Sequence, residues 1–135
     1  MSGVKLPIDR LPELWPSKLG GARIGAVLHP ASVSATLVHS ARILERFSGN
    51  LFHLAALFGP QHGYLGQTQD NMIEWEGFRH PRLGIPIHSL YGTNREPTRE
   101  MLGGLDALII DLQDIGARYY TFIWTLYLCL KACAR

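Results

Sequence analysis

Residues 51–63 read LFHLAALFGPQHG, a mostly apolar run that stops abruptly at Gly59-Pro60. A short run of this kind, bounded by turn residues, is the signature of a strand buried on both faces, and such strands belong to parallel sheets covered by helices. Working outward, residues 23–28 (RIGAVL, closed by His29-Pro30) and 105–112 (LDALIIDL) repeat the pattern, and 87–91 (IHSLY) is a shorter candidate. Helical signals lie between them. Residues 34–47 carry Leu37, Val38, Ala41 and Leu44 at helical spacing, Thr98 is placed to cap a short helix over 99–103, and 119–134 is apolar on nearly every face. The alternation predicts an α/β domain with a mostly parallel sheet of about four strands in a three-layer arrangement.

The chain has 135 residues, the size of one domain. Residues 1–22, rich in proline and closed by Gly20-Gly21, read as an irregular or short helical lead-in, and 23–135 as the α/β domain itself. A last helix apolar all round needs a covering layer, so the sequence predicts a domain completed by a C-terminal domain or by self-association. Thirteen Lys+Arg against eleven Asp+Glu give a net charge of +2 with no basic run, which sets nucleic acid aside as a partner. Residues 1–18 hold Lys5, Asp9 and Arg10 among prolines and lack a signal-peptide core, pointing to the cytoplasm. The longest apolar stretch, 119–130, falls short of the about 20 residues of a membrane span. Cys129 and Cys133, four apart and outside any metal or redox spacing, read as reduced core residues. Neither a phosphate-loop fingerprint nor a GxSxG elbow is present, and no cofactor is expected.

In open parallel sheets ligands bind outside the carboxyl ends of the strands. The polar clusters of this chain fall at those ends: His29 after the first strand, Gln61 and His62 after the second, Tyr91-Gly92 after the third, and Asp111, Gln113 and Asp114 after the fourth. His62, between glycines, reads either as a proton shuttle or as a histidine that fixes its turn. Asp111 is the better candidate for chemistry, whereas Asp114 points into the cleft or caps the following helix. Arg118 can clamp an anionic group, and Tyr119 and Tyr120 either donate to sugar oxygens or pack in the core. The long stretch 61–86, with Asp70 and a Trp75 flanked by Glu74 and Glu76, reads as a functional loop, its tryptophan set either to stack on a sugar or to hinge a lid.

Four separated motifs, Gly59-Pro60-Gln61-His62-Gly63, Gly84-Ile85-Pro86 with Ser89-Leu90-Tyr91-Gly92, Pro97-Thr98 with Glu100-Met101-Leu102, and Asp111-Leu112-Gln113-Asp114-Ile115-Gly116-Ala117-Arg118-Tyr119-Tyr120, make the chain similar to the exo-β-N-acetylmuramidases of the NamZ type. The resemblance implies a Rossmann-like N-terminal domain, followed in the family by a smaller C-terminal domain. It also implies a glycosidase that removes N-acetylmuramic acid from the non-reducing ends of peptidoglycan fragments, with a disaccharide or muropeptide as partner and no redox cofactor. Carried over by position, the catalytic group would comprise Gln61, His62, Asp111 and Asp114, and the sugar contacts His29, Asp70, Gln113, Arg118 and Tyr120, with Arg118 facing the lactyl carboxylate. Two residues depart from the family pattern. Gln61 stands where Glu is usual, and an amide cannot serve as the acid or base that glycoside cleavage generally requires. His29 stands where Asn is usual. The substitution at Gln61 keeps open two further readings, a non-catalytic sugar- or muropeptide-binding module and a protein-interaction domain.

Overall fold

The computed structural model describes residues 4–68, 70, 72–117 and 120–135. One helical turn, α1 (Leu11–Leu14), precedes β1 (Arg23–Leu28), α2 (Ser40–Phe47), β2 (His53–Gly59), β3 (Phe78–Arg79), β4 (Pro86–Ser89), α3 (Arg99–Leu102), β5 (Ala107–Asp111) and α4 (Phe122–Cys133). The sheet order is β3-β4-β2-β1-β5, parallel throughout except for the two-residue β3, which adds one strand to the expected four.

Both faces of the sheet are covered, which makes the domain three-layered. Ile24, Ala26 and Leu28 of β1 and Leu54 and Leu57 of β2 pack with Ala41 and Leu44 of α2 and with Ile8 and Leu11. The opposite face joins Val27, Ala56 and Phe58 to Cys129 of α4, with Met101 and Leu102 of α3 alongside. The pairing of β1 with β2 skips Ala55 between Ile24 and Gly25, and this irregularity moves Leu54 and Leu57 onto one face and Ala56 and Phe58 onto the other. The lead-in is part of the core, since Trp15 packs on Phe52 with ring centroids 4.7 Å apart.

Two helices begin later than their apolar spacing predicts. Over 34–39 the side chain of Ser34 accepts from Thr36 N and Val38 N, which holds a turn, and Leu37 is exposed with a φ of 60°. Helix α2 therefore starts at Ser40, where the Nδ1 of His39 accepts from Ala41 N as the cap. Helix α4 starts at Phe122 and buries only Phe122, Thr125 and Cys129. Ile123, Trp124, Tyr127 and Leu130 stand 50–63% exposed, so within this chain the helix is covered on one side only, and its other apolar face is the one for which the sequence predicts a further covering layer. Cys129 is buried, as expected, and burial raises its thiol pKa to about 12, whereas Cys133 is exposed rather than core. No helix among the described residues is long and apolar enough to cross a membrane.

Candidate functional site

The connection from β1 moves toward β2, whereas the one from β4 returns to the far side of β1, so the order reverses between β1 and β5. At such a switch point the two neighbouring loops diverge and leave a crevice outside the strand ends. Its walls are His29 at the end of β1 and Asp111 at the end of β5, with Leu28 and Asp111 directly paired.

A serine network holds these walls together. Ser32 Oγ accepts from His29 N at 2.9 Å and donates to the carbonyl of Asp111. Ser40 Oγ donates to Asp111 Oδ2 at 2.5 Å, and Ser40 N donates to the carbonyl of Ser32 at 2.8 Å. The carboxylate of Asp111 is thus engaged at the first turn of α2, where the helix dipole also favours negative charge. In this position it braces β5 against the β1 loop. Ser32, Ser40 and His39 escaped the sequence reading because their contacts to Asp111 and His29 span 79, 71 and 10 residues.

The second strand delivers Gln61 and His62. Gly59 ends β2 where the chain turns back on itself, and a Cβ there would lie 2.6 Å from Tyr64 N and 2.7 Å from the Trp75 ring, so only glycine fits. His62 follows with a φ of 70°, a left-handed conformation uncommon outside glycine, and its ring is fixed by Nδ1 at 2.9 Å from the carbonyl of Thr68. Gln61 is tied to the start of α4, its Oε1 accepting from Thr121 Oγ1 at 3.0 Å. Thr121 had not been singled out in the sequence. Trp75 is only 8% exposed, and its indole donates to the carbonyl of Pro60. It is therefore an anchor for the long loop, neither a stacking platform nor a hinge.

Three histidines meet in the crevice. Burial, then the charges that His62 and His39 would carry, lower His29 to about 4. Burial also lowers His39, opposed by its hydrogen bond to the carbonyl of His29 and by Asp111. The Phe122 ring packs edge-on against His29 at a centroid distance of 4.6 Å. At neutral pH the His29 ring is thus uncharged.

Four further sequence candidates, Gln113, Asp114, Asp70 and Tyr120, are exposed. Asp114 is exposed and its Oδ1 accepts from Gly116 N, which closes a local turn; it does not cap α4. Gln113 is exposed and borders a cavity of about 340 Å³ beside Leu6, Leu11 and Trp15. Asp70 and Tyr120 are exposed, and Arg118 lies outside the described residues. A separate hollow of about 400 Å³ at the end of β4 holds Glu74, Glu76, His88 and Asn94. Another cavity, of about 550 Å³, is lined mainly by apolar side chains of α3, β5 and α4 and contains none of the crevice residues.

The family model described as "Exo-beta-N-acetylmuramidase NamZ, N-terminal" matches residues 24–135. The chain belongs to this family. Over 129 residues it is 39% identical to the peptidoglycan beta-N-acetylmuramidase NamZ of Bacillus subtilis (strain 168), a match covering 96% of this chain and 30% of that protein. Among solved structures, a DUF1343 family protein from Bacteroides fragilis NCTC 9343 superposes with a TM-score of 0.80 at 35% identity, covering 96% of this chain and 31% of the other. A second DUF1343 protein from the same organism gives 0.73 at 28% identity, covering 98% and 32%. The chain spans about a third of the length of these relatives. Membership of NamZ makes it part of a peptidoglycan glycosidase family with an α/β N-terminal domain.

Proposed function

We propose that this chain forms the sugar-binding and proton-accepting side of an exo-β-N-acetylmuramidase site, which releases N-acetylmuramic acid from the non-reducing ends of peptidoglycan fragments. The observation that carries this reading is the meeting of His29, Gln61, His62 and Asp111 from separate strand ends at the switch-point crevice of a NamZ-family domain. His62 is the proton acceptor. Its Nδ1 is occupied by the Thr68 carbonyl, which leaves Nε2 with a lone pair. Gln61 cannot transfer a proton as an acid or base, so it binds and orients, held by Thr121.

The test is mass spectrometry of N-acetylmuramic acid released from its disaccharide with N-acetylglucosamine by the folded chain. Release that His62→Ala abolishes is the expected result. A folded chain that neither releases nor saturably binds the disaccharide overturns the proposal. The amide at Gln61 favours a second reading, a binding module without turnover, and saturable binding with no release, even by Gln61→Glu, would establish it in place of the enzyme.

A further inference from the structure

Strand β5 stands at the edge of the sheet but has the composition of an interior strand. Its residues read ALIID and alternate apolar side chains to both faces, Leu108 and Ile110 toward α4 and Ala107 and Ile109 toward the lead-in. On one side β5 pairs with β1. On the other no described strand follows, and no backbone hydrogen bond from a described loop reaches 107–110. The result shows in burial: β1, paired on both sides, is 0% exposed at Ile24, Ala26, Val27 and Leu28, whereas all five residues of β5 are only half-buried. The space above and below this edge is hollow. Cavities of about 550 and 140 Å³ lie between β5 and α4, and one of about 340 Å³ lies between β5 and the lead-in at Leu11 and Trp15; Ile110 borders all three. Ile123, Leu126 and Leu130, spaced three and four apart, lay an apolar stripe of α4 along the first two, with exposed Tyr127 beside it. An unpaired apolar edge of this kind is a template for another strand.

We propose that a second copy of this chain occupies the edge, pairing antiparallel, β5 to β5, about a two-fold axis normal to the sheet near Ile109. Such an axis keeps like faces together. Leu108 of one copy then stands opposite Ile110 of the other on the α4 side, and these side chains enter the cavities beneath the stripe. On the opposite face Ile109 meets its counterpart beside the cavity at Leu11 and Trp15. A five-residue strand pairing is small beside the about 800 Å² that each partner of a standard interface buries, so the two flanking apolar faces supply the rest. Charge selects the antiparallel arrangement. Arg99 borders the cavity at the Ala107 end of β5 and forms no ion pair or hydrogen bond through its side chain with a described residue. Asp114 is exposed at the Asp111 end and borders the smaller cavity. Antiparallel pairing turns Arg99 of each copy toward Asp114 of the other, twice by symmetry, whereas parallel pairing would set like charge against like. The same pairing brings Arg99 of the other copy to the rim of the crevice.

Sedimentation equilibrium of the 135-residue chain over about 5–100 µM at neutral pH is expected to give twice the chain mass of 15.1 kDa. Hydrogen exchange over the same range is expected to slow at the amides of 107–111 as the dimer fills. A mass of 15.1 kDa throughout overturns the proposal, and so does a dimer in which those amides stay unprotected. Leu130→Glu, at a position already 59% exposed, should keep the circular dichroism spectrum and return the chain to monomer; unchanged dimer affinity counts against the stripe as part of the interface and overturns the arrangement. Charge exchange tests the direction of pairing. Arg99→Glu and Asp114→Arg should each weaken the dimer at least about tenfold, and the two together should restore it to within about threefold. Within one chain the two residues lie at opposite ends of β5, about 15 Å or more apart, so recovery comes only from contact between copies. Single variants without effect, or a double variant without recovery, overturn the antiparallel pairing. None of these outcomes depends on the muramidase reading.

Discussion

The loops that follow β1 and β2 each present a histidine to the same crevice, yet they hold it by opposite means. After β1 the chain is stitched locally, with Ser32 N donating to the carbonyl of His29, Ser34 fastening the next turn and Ser32 with Ser40 crossing to Asp111. After β2 a long loop must be pulled back over Gly59 by Trp75 before the carbonyl of Thr68 can reach His62. In the first loop Nδ1 faces a backbone N–H and in the second a backbone carbonyl. One residue type thereby becomes a donor at one wall and an acceptor at the other.

The most severe way to break the second loop's half of the comparison is chemical. His62→Ala should lower muramic acid release by at least about a hundredfold, the usual contribution of a positioned acid or base, with the circular dichroism spectrum unchanged. A structural break comes next. Gly59→Val would push a side chain into Tyr64 N and Trp75, and urea unfolding should register a loss of about 3 kcal/mol. The first loop should be less fragile. Ser40→Ala removes the hydroxyl that Asp111 Oδ2 accepts from, and the expected cost is about 1–2 kcal/mol in the same assay.

Acid sharpens the contrast further. The pKa of His29 is depressed on folding, so below its ordinary value of 6.5 the unfolded chain takes up a proton that the folded chain refuses until about 4. The His29 contribution to stability is therefore complete above pH 6.5 and lost progressively between 6.5 and about 4. The melting temperature should fall over that window, and His29→Asn should flatten part of the fall. The smallest effect is expected at Thr121→Val, which frees Gln61 at a cost of about 0.5–1.5 kcal/mol and weakens sugar binding more than it weakens the fold.

The strands were legible because burial on both faces leaves continuous apolar runs at 23–28, 51–58 and 105–112, and His29, His62 and Asp111 were legible as the polar residues that end them. The two-residue β3 carries no such run. The start of α2 was hidden because Leu37 and Val38 fall at helical spacing by coincidence, while the side chains of Ser34 and His39 decide the backbone there. What composition could not reveal was which partners meet. Asp111 looked like a free carboxylate until Ser40 was found against it, and Trp75 read as a stacking platform or a lid hinge until its indole was found on Pro60. Both relationships are tertiary, and a linear spacing does not encode them.

The account turns on the His29 ring being an uncharged donor in a desolvated cluster with His62 and His39. Following the His29 ring proton resonances by nuclear magnetic resonance from pH 8 to pH 3 measures this directly. The expected midpoint is about 4. A midpoint near the ordinary 6.5 would place His29 in open solvent, away from its two neighbours, and would contradict the crevice as described.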